Sequence, residues 1–337
     1  MRPAKLFEPL EEKMVKCLAC NHYCRIAPGK QGRCRVRENQ NGFLVSLVYD
    51  RLVSAGSDPI EKKPIFHLKP GSTSFSIATM GCNFRCQFCQ NSDIAQMPQG
   101  LTPEAWIMGK KIEPEDIVAQ AMARGCESIS YTYTEPTVFF ELALGTARLA
   151  KEKGLYNIFV TNGFMSPELI DLAAPVLDAA NVDLKAFNED FYKQYCRARL
   201  GPVKESLKLM KQKGMMVEVT TLIIPGLNDD PNELEKMAGF ISRELGPETP
   251  WHLSRFHPAY RLQDRAATPV KILEQACDIG VSAGLYHVYT GNVPGARENT
   301  FCRACNALVV RRQGYGVENY LVQGCCPECG HPVYGIY

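Results

Sequence analysis

Twelve of the chain's 15 cysteines lie in three groups, and this distribution constrains the fold more than any other feature of the sequence. The groups are Cys17, Cys20, Cys24 and Cys34; Cys82, Cys86 and Cys89; and Cys302, Cys305, Cys325, Cys326 and Cys329. Disulfide frameworks are typical of short secreted chains, whereas clustered thiols in a long chain indicate metal binding. The sequence therefore predicts three metal sites around a long body, in which Cys126, Cys196 and Cys277 are isolated, buried thiols.

Length, charge and hydropathy limit the class of protein. The 337 residues allow one large domain with appendages or two domains, and a formal net charge of +2 argues against bulk electrostatic binding of nucleic acid. No run reaches about 18 apolar residues, so we expect no membrane span, and we expect no signal peptide. These features predict a cytoplasmic protein, in a reducing compartment where clustered thiols hold metals.

The body of the chain alternates between short apolar runs and amphipathic stretches. Buried strands are predicted at residues 74–79, 128–133, 157–161, 180–184, 216–224, 251–256 and 285–290. Helices are predicted at residues 114–124, 137–153, 167–177, 203–212, 231–245 and 269–283, several of which begin with proline. The alternation predicts an α/β fold with a parallel sheet, as a full or partial (β/α) barrel. An open doubly wound sheet is the alternative, although neither a dinucleotide fingerprint nor a phosphate loop is present.

Polar and charged residues follow nearly every predicted strand. The segments concerned are 80–89, 133–136, 161–163, 183–185, 225–229, 256–258 and 290–292. One such residue alone is typical of a solvated loop. Because functional residues of parallel barrels collect at the carboxyl ends of the strands, their concurrence predicts a site at one rim.

The second cysteine group lies on the sequence GCNFRCQFCQN, with the spacing CxxxCxxC. Three thiolates on one short loop suit a 4Fe–4S cluster whose fourth iron has no protein ligand. A structural zinc ion would normally need four ligands, and no second cysteine pair lies nearby. An iron with an open position can be chelated by a small molecule.

This spacing, with Phe88 directly before the last cysteine, resembles the CxxxCxΦC motif of the radical S-adenosylmethionine (SAM) superfamily. The resemblance implies a partial (β/α)6 TIM-like barrel, a 4Fe–4S cluster, SAM as cofactor and a reducing electron donor. It also implies an oxidoreductase in which reductive cleavage of SAM gives methionine and a 5′-deoxyadenosyl radical. The radical then abstracts a hydrogen atom from a substrate.

Other segments carry the resemblance further. Asp183-Leu184-Lys185 and the sequence IPGLND at 224–229 resemble the pyruvate formate-lyase activating enzymes. Segments 58–71, 89–96, 128–137, 181–187 and 250–260 together are similar to the AmmeMemoRadiSam-system radical SAM enzymes, which are often described as activating enzyme-like. That family implies Memo-like and Ammecr-like proteins as partners.

The resemblance also implies which residues bind the cofactors. Cys82, Cys86 and Cys89 would hold the catalytic cluster. Phe88, Glu135, Asn162, Asp183, Lys185, His257 and Asn292 would help to seat SAM. Tyr133 and Thr134 stand where superfamily members usually have two glycines before this glutamate and proline. From the residues alone, Glu135 could be a solvated loop acid and His257 a locally packed histidine.

The two flanking groups indicate further metal sites. Cys302, Cys305, Cys326 and Cys329 form two CxxC pairs, which is typical of a zinc ribbon; a rubredoxin-type iron is the alternative, and neither Cys325 nor His331 is assigned as a ligand. Strand-like stretches at 307–312 and 319–323 would carry these pairs. Cys17, Cys20, Cys24 and Cys34 fit zinc, a second iron–sulfur cluster or reduced thiols, and spacing does not choose between them.

The sequence thus predicts three parts. Residues 1–71 form a Cys-rich module, with a strand at 43–49 and a lid-like loop at 58–71 whose charges, including Lys62, Lys63 and His67, mostly face water. Residues 72–296 form the barrel and residues 297–337 the ribbon. A glycyl-radical activase is one alternative function, weakened because residues 90–114 lack cysteine. A non-catalytic iron–sulfur or zinc protein that binds a partner or RNA is the other.

Overall fold

A mostly parallel sheet forms the centre of the computed structural model, which describes residues 2–293 and 297–337. In chain order the strands are β1 Arg2–Pro3, β2 Phe7–Pro9, β3 Val15–Cys17, β4 Arg25–Ile26, β5 Arg37–Gln40, β6 Phe43–Ser46, β7 Arg51–Leu52, β8 Ser54–Pro59, β9 Thr73–Ala78, β10 Lys110–Lys111, β11 Ser128–Tyr131, β12 Tyr156–Thr161, β13 Ala179–Asp183, β14 Met216–Ile223, β15 Trp251–Arg255, β16 Val288–Gly291, β17 Thr300–Phe301, β18 Leu308–Gln313 and β19 Gly316–Asn319.

The helices lie mainly between strands of the central sheet. They are α1 Ser92–Ala95, α2 Pro103–Trp106, α3 Pro114–Ala123, α4 Phe140–Glu152, α5 Pro167–Ala173, α6 Glu189–Phe191, α7 Leu200–Gln212, α8 Pro231–Phe240 and α9 Val270–Ser282. Short 3-10 turns occur at Glu11–Lys13, Ile60–Lys62 and Pro136–Phe139, and π-helical turns at Tyr192–Cys196 and Ile241–Leu245.

The central sheet has the order β16-β15-β14-β13-β12-β11-β9-β8. From β9 to β16 all neighbours are parallel and occur in chain order, and the short strand β10, between β9 and β11 in the chain, pairs with β7 instead. A doubly wound sheet reverses its strand order at a switch point, and this sheet does not, so the predicted alternative is wrong for the described residues. The seven predicted strands are confirmed, each end lying within three residues of its predicted position.

The edge strand β8 was not predicted. It pairs antiparallel with β9 along its whole length, from Ser54 opposite Ala78 to Pro59 opposite Thr73. Its sequence, SAGSDP, has neither apolar alternation nor a β-branched residue. Pairing with a buried neighbour, rather than local propensity, therefore makes this segment a strand.

Burial on both faces explains the near-continuous apolar strands of the parallel sheet. Every residue of β11 is buried, as are seven of the eight in β14. The predicted helices are confirmed with small changes at their ends. For example, α5 begins at Pro167 after a cap in which Ser166 Oγ accepts a hydrogen bond from Leu169 N at 3.2 Å.

The segment between β8 and β9 is more deeply packed than expected. Lys63 and His67 are only 1% and 0% exposed, so the expectation that its charges mostly face water is wrong for these two residues. The backbone N–H groups of Phe66 and His67 both donate to Glu218 Oε1 at 2.9 Å. Because Glu218 is a buried residue of β14, the segment is fastened to the central sheet.

Two small modules flank the sheet. The N-terminal module contains two three-stranded antiparallel sheets, β1-β6-β5 and β2-β3-β4. It is joined to α4 by buried Arg37, whose two terminal nitrogens donate to Glu141 at 3.0 and 2.7 Å. The C-terminal module is the sheet β17-β18-β19, and its second hairpin strand ends at Asn319, whereas the sequence predicts a strand at 319–323.

Candidate functional site

A cavity of about 300 Å³ opens at the carboxyl ends of the parallel strands. It brings together nine of the ten residues that the sequence assigns to the catalytic cluster and SAM. The nine are Cys82, Cys86, Phe88, Cys89, Glu135, Asn162, Asp183, Lys185 and Asn292. They follow five different strands, so the parallel topology explains their convergence.

The loop after β9 carries the three cysteines and is held from two sides. Gly81, at φ 101°, donates its N–H to Ile94 O at 2.9 Å. The N–H groups of Arg85 and Gln87 donate to carbonyls of the π-helical turn Tyr192–Cys196, each at 2.9 Å. These backbone bonds fix the path of the loop, which presents its thiols to the cavity.

The environment of the three thiols fits a multinuclear metal centre. Burial raises the pKa of Cys82, and it raises the pKa of Cys89 to about 11. A hydrogen bond with buried Cys196, followed by burial, raises the pKa of Cys86. Thiolates here therefore need a cationic partner. Within the described part of the chain, the three sulfurs do not all lie within 4.8 Å of one another, which is wider than one metal ion requires.

Glu135 is a buried carboxylate between β11 and the 3-10 turn Pro136–Phe139. It is only 1% exposed, so its interpretation as a solvated loop acid is wrong. Its Oε1 accepts hydrogen bonds from Thr137 N at 3.1 Å and Thr161 Oγ1 at 2.8 Å, and its Oε2 accepts one from Asn162 N at 2.8 Å. Burial raises the pKa of this carboxyl, and these donors oppose the effect. Oε2 retains capacity for a second donor in the cavity.

The conformation of Tyr133 explains how the chain tolerates Tyr133 and Thr134 in place of the two usual glycines before Glu135. Tyr133 adopts φ 63°, a conformation that glycine accepts readily and that tyrosine rarely adopts. Its carbonyl accepts a hydrogen bond from Asn91 Nδ2 at 2.8 Å, and Thr134 Oγ1 donates to Thr79 O at 2.9 Å. The backbone is thus held in a left-handed turn without glycine.

Asn162 links the end of β12 to the cysteine loop. Its Nδ2 donates to Asn83 Oδ1 at 2.7 Å and lies 3.8 Å from Cys82 Sγ. Its Oδ1 accepts a hydrogen bond from Phe164 N at 3.0 Å. Asn162 is therefore oriented beside the first cysteine by protein contacts alone.

Asp183, the last residue of β13, forms an ion pair with Lys185, whose Nζ lies 2.8 Å from Asp183 Oδ2. Burial alone would lower the pKa of Lys185, but Asp183 and the neighbouring Cys86 raise it well above its ordinary value. The lysine therefore stays charged. The backbone carbonyl of Lys185 accepts from Asn228 Nδ2 at 2.6 Å, so the turn at 224–229 supports this residue.

The structure places His257 apart from the other predicted residues. It is exposed and lines an adjacent cavity of about 760 Å³. Asn292, at φ 61°, lines both cavities, and so do Lys62, Gln90 and Ser254. The two cavities therefore share a wall.

Sequence reasoning missed a polar group at the entrance. Asp58 Oδ2 accepts a hydrogen bond from Lys63 Nζ at 2.6 Å and another from the hydroxyl of Tyr133, while its Oδ1 accepts from Lys62 Nζ at 2.6 Å. Burial lowers the pKa of Lys63 to about 8, although Asp58 opposes this shift. The signal available in the sequence was a lysine between apolar Ile60 and Ile65, which are both buried.

The four N-terminal cysteines converge on a small cavity of their own. Cys17, Cys20, Cys24 and Cys34 all line it. Burial raises the pKa of each thiol, and neighbouring cysteines contribute to each shift. His22 lines the cavity too, but its Nε2 contacts Asn83 O at 2.9 Å.

The C-terminal cysteines are brought much closer together. The sulfurs of Cys302, Cys305, Cys326 and Cys329 all lie within 4.8 Å of one another, and the Cys302–Cys329 and Cys305–Cys326 pairs are 3.6 Å apart. Cys325 is outside this set, and His331 accepts a hydrogen bond from Arg303 Nε at 2.7 Å. The donor set and its spacing fit one tetrahedral metal ion.

The chain is similar in sequence to known proteins. The model of the radical SAM superfamily matches residues 76–241. Over 313 residues the chain is 45% identical to the uncharacterized protein MJ0808 of Methanocaldococcus jannaschii, covering 93% of this chain and 92% of that protein. It is 23% identical over 187 residues to the pyruvate formate-lyase 1-activating enzyme of Escherichia coli, covering 52% of this chain and 71% of the enzyme.

A solved structure shows the same fold. The crystal structure of Streptococcus suis SuiB bound to S-adenosylmethionine aligns with a TM-score of 0.52 at 13% identity, covering 69% of this chain and 53% of that chain. The three-cysteine loop lies at the carboxyl ends of a parallel α/β sheet, where the active sites of enzymes with such sheets collect. The chain belongs to the radical SAM superfamily, whose members use a 4Fe–4S cluster and SAM for radical chemistry. None of the helices in the described residues is long and apolar enough to cross a membrane.

Proposed function

We propose that this enzyme binds a 4Fe–4S cluster through Cys82, Cys86 and Cys89, binds SAM beside it, and abstracts a hydrogen atom from a substrate. When bound, the cluster supplies the electron that cleaves SAM to methionine and the 5′-deoxyadenosyl radical. The observation that carries the proposal is the convergence of nine predicted residues on one cavity.

The residues around the cysteines have separate tasks. The free acceptor capacity of Glu135 Oε2 suits the ammonium group of SAM, and the Lys185 ammonium suits its carboxylate. Phe88 is buried beside the cluster ligands and excludes water from them. Asn162 and Asn292 offer amides at two further strand ends. His257 lines the adjacent cavity and not this one, so we assign it to the adjacent cavity.

The adjacent cavity of about 760 Å³ is the proposed substrate site. It shares a wall with the SAM cavity, and residues of the 60–71 segment and of the C-terminal module, including Glu61, Glu298 and Tyr315, contribute to its lining. Its volume and its mixture of polar and apolar lining residues fit a side chain or a small molecule brought to the radical. A segment of a partner protein is the substrate that we propose, because the similar activating enzyme is named for its action on pyruvate formate-lyase.

Formation of 5′-deoxyadenosine tests the proposal. Anaerobically reconstituted protein with dithionite should convert SAM to methionine and 5′-deoxyadenosine. The Cys82→Ala, Cys86→Ala, Cys89→Ala triple variant should fall to background. The control is Cys277→Ala, because Cys277 is a buried thiol of α9 outside both cavities. Cleavage by the triple variant at the wild-type rate would overturn the assignment.

Glycyl-radical activation is the second candidate, favoured by the similarity to the pyruvate formate-lyase 1-activating enzyme. It predicts a persistent glycyl radical signal in a candidate partner by electron paramagnetic resonance. Modification of a small molecule or of another residue predicts 5′-deoxyadenosine without that signal.

The remaining sequence predictions complete the proposal. We also propose that the sheet curves as a partial (β/α)6 TIM-like barrel, that the chain divides into domains at residues 71 and 296, and that Memo-like and Ammecr-like proteins are its partners. Residue 296 lies outside the described residues. We further propose that the C-terminal module binds zinc, that the enzyme uses a reducing electron donor, and that it is located in the cytoplasm. The spacing of the four C-terminal sulfurs supports the zinc assignment.

A further inference from the structure

The three cysteine groups of this chain differ in how closely their sulfurs approach. A tetrahedral zinc ion about 2.3 Å from each sulfur holds the sulfurs about 3.8 Å apart, and the C-terminal group meets this condition. Among all described residues, no three of Cys17, Cys20, Cys24 and Cys34 have sulfurs that all lie within 4.8 Å of one another. In this respect the N-terminal group matches Cys82, Cys86 and Cys89, which belong to the iron–sulfur site.

The wider spacing does not mean that the N-terminal cysteines are dispersed. All four line one small cavity, and Cys17 and Cys34 are buried. In an iron–sulfur cubane each cysteine binds a different iron, so its sulfurs stand farther apart than around a single ion. Such a cluster needs four thiols that line one cavity and whose sulfurs are too far apart to bind a single metal ion.

Two buried donors provide independent support for an additional ligand in this cavity. Arg37 and Asn83 are 1% and 3% exposed, and both line the cavity. Arg37 Nε and Asn83 Nδ2 have no hydrogen-bond partner in the described structure. An unpaired buried donor is unfavourable, and the sulfide atoms of a cluster would supply acceptors for both.

We propose that Cys17, Cys20, Cys24 and Cys34 bind a second 4Fe–4S cluster, held by four protein thiolates, and not zinc. This site lies next to the catalytic loop. Asn83 follows Cys82 directly, lines the N-terminal cavity, and receives the hydrogen bond from Asn162. A Cβ at Gly81 would stand 3.3 Å from Cys34 O, which shows how closely the two loops approach.

Metal and sulfide analysis of the catalytic triple variant tests this proposal. The Cys82→Ala, Cys86→Ala, Cys89→Ala variant keeps the N-terminal site intact. After anaerobic purification and reconstitution it should contain about four iron and four sulfide per chain and show a reducible 4Fe–4S signal by electron paramagnetic resonance. Adding Cys20→Ser and Cys24→Ser should remove that iron and that signal, while the zinc content stays unchanged.

Wild-type protein gives a second reading that does not depend on how the variants fold. We expect about eight iron, eight sulfide and one zinc per chain. About four iron with two zinc ions per chain, or a triple variant that contains zinc and no iron, would overturn the proposal. Neither readout uses SAM cleavage, so a failure of the proposed function would be recognised separately.

Discussion

Lys63 shows how one buried side chain can change the properties of the cavity at the carboxyl ends of the strands. Its side chain is 1% exposed, and its Nζ donates to Asp58 Oδ2 at 2.6 Å and to the hydroxyl of Tyr133 at 3.1 Å. Burial lowers its pKa from an ordinary 10.5 to about 8. The neighbouring Lys62 pairs with the same carboxylate, but its side chain is 45% exposed and its pKa is raised by that hydrogen bond.

We predict that Lys63 titrates near pH 8, whereas Lys62 titrates above its ordinary value. Nuclear magnetic resonance of labelled lysine side chains would follow both groups in one sample. Asp58→Asn should lower the pKa of Lys63 further, because the carboxylate that favours the charged amine is lost. A Lys63 signal that titrates near 10.5 in the wild type would contradict the prediction.

The same shift gives a sign to the pH dependence of stability. Between about pH 8 and pH 10.5 the unfolded chain binds a proton at Lys63 that the folded chain has released. The contribution of Lys63 therefore makes the folded state more stable as pH rises through this range, and Lys63→Met should flatten that rise. The slope of melting temperature against pH, measured for the wild type and for Lys63→Met, checks this prediction.

For individual residues, the sequence predicts function where the chemistry depends only on the spacing of residues along the chain. Cys82, Cys86 and Cys89 could be assigned from their spacing because one loop carries all three. The group of Asp58, Lys63 and Tyr133 could not, since it joins an edge strand, a 3-10 turn and the end of β11. Burial of a lysine is decided by these tertiary contacts and leaves little local trace.

The turn that follows β12 contains Gly163, directly after Asn162. This glycine can hardly be replaced by another residue. Gly163 has φ 69°, and a Cβ there would stand 2.7 Å from Val182 Cγ1 and 3.1 Å from Val203 Cγ1. Both valines are buried, in β13 and α7. This turn therefore needs glycine for its conformation and also for its packing.

We predict that Gly163→Ala destabilises the folded protein by about 2–4 kcal/mol, from left-handed strain and overpacking together. The matched control is Gly154→Ala. Gly154 has φ 76° with nothing within 4 Å of its Cβ position, so only the strain remains, about 1–2 kcal/mol. Anaerobic thermal denaturation should show the larger loss for Gly163→Ala; equal losses would mean that the valines move aside freely.

The strands and helices illustrate what local pattern can predict. The seven parallel strands were predictable because burial on both faces requires continuous apolar runs, as in β14. The edge strand β8 was not, because Asp58 and Ser57 carry no such signal. Helix ends also shifted: the predicted helix at 231–245 becomes α8 followed by a π-helical turn, a distinction that depends on packing.

Across the whole molecule, the C-terminal module and the 60–71 segment hold each other in place. Arg312 of β18 is buried, and it donates to Phe66 O at 2.7 Å and Thr300 Oγ1 at 2.8 Å. Lys69 N donates to Ile336 O, and Ile336 N donates to His67 O, both at 2.7 Å. The segment that borders both cavities is therefore tied to the module that carries Cys302, Cys305, Cys326 and Cys329.

We predict that loss of the C-terminal metal loosens the 60–71 segment as well. Cys326→Ser removes one sulfur of the close-packed set and, if the proposed zinc ion binds there, should reduce zinc by about one ion per chain. Amide hydrogen exchange should then rise in residues 302–337 and in residues 60–71, while iron content is unchanged. The control is the adjacent Cys325→Ser, which should retain zinc because Cys325 is not part of the set. Faster exchange confined to the module would contradict the proposed linkage.

The walls of the N-terminal cavity also have a consequence for the order in which the protein matures. All four of its cysteines are synthesised within the first 34 residues, but Asn83, Thr137 and Val138 complete the cavity. A growing chain that has not yet emerged as far as Val138 therefore lacks part of the wall, whatever metal is available. The four cysteines of the C-terminal site lie between residues 302 and 329, and they are made last of the three groups. The complete N-terminal cavity therefore forms only after the first strands of the sheet, although its four cysteines are translated before the other two groups.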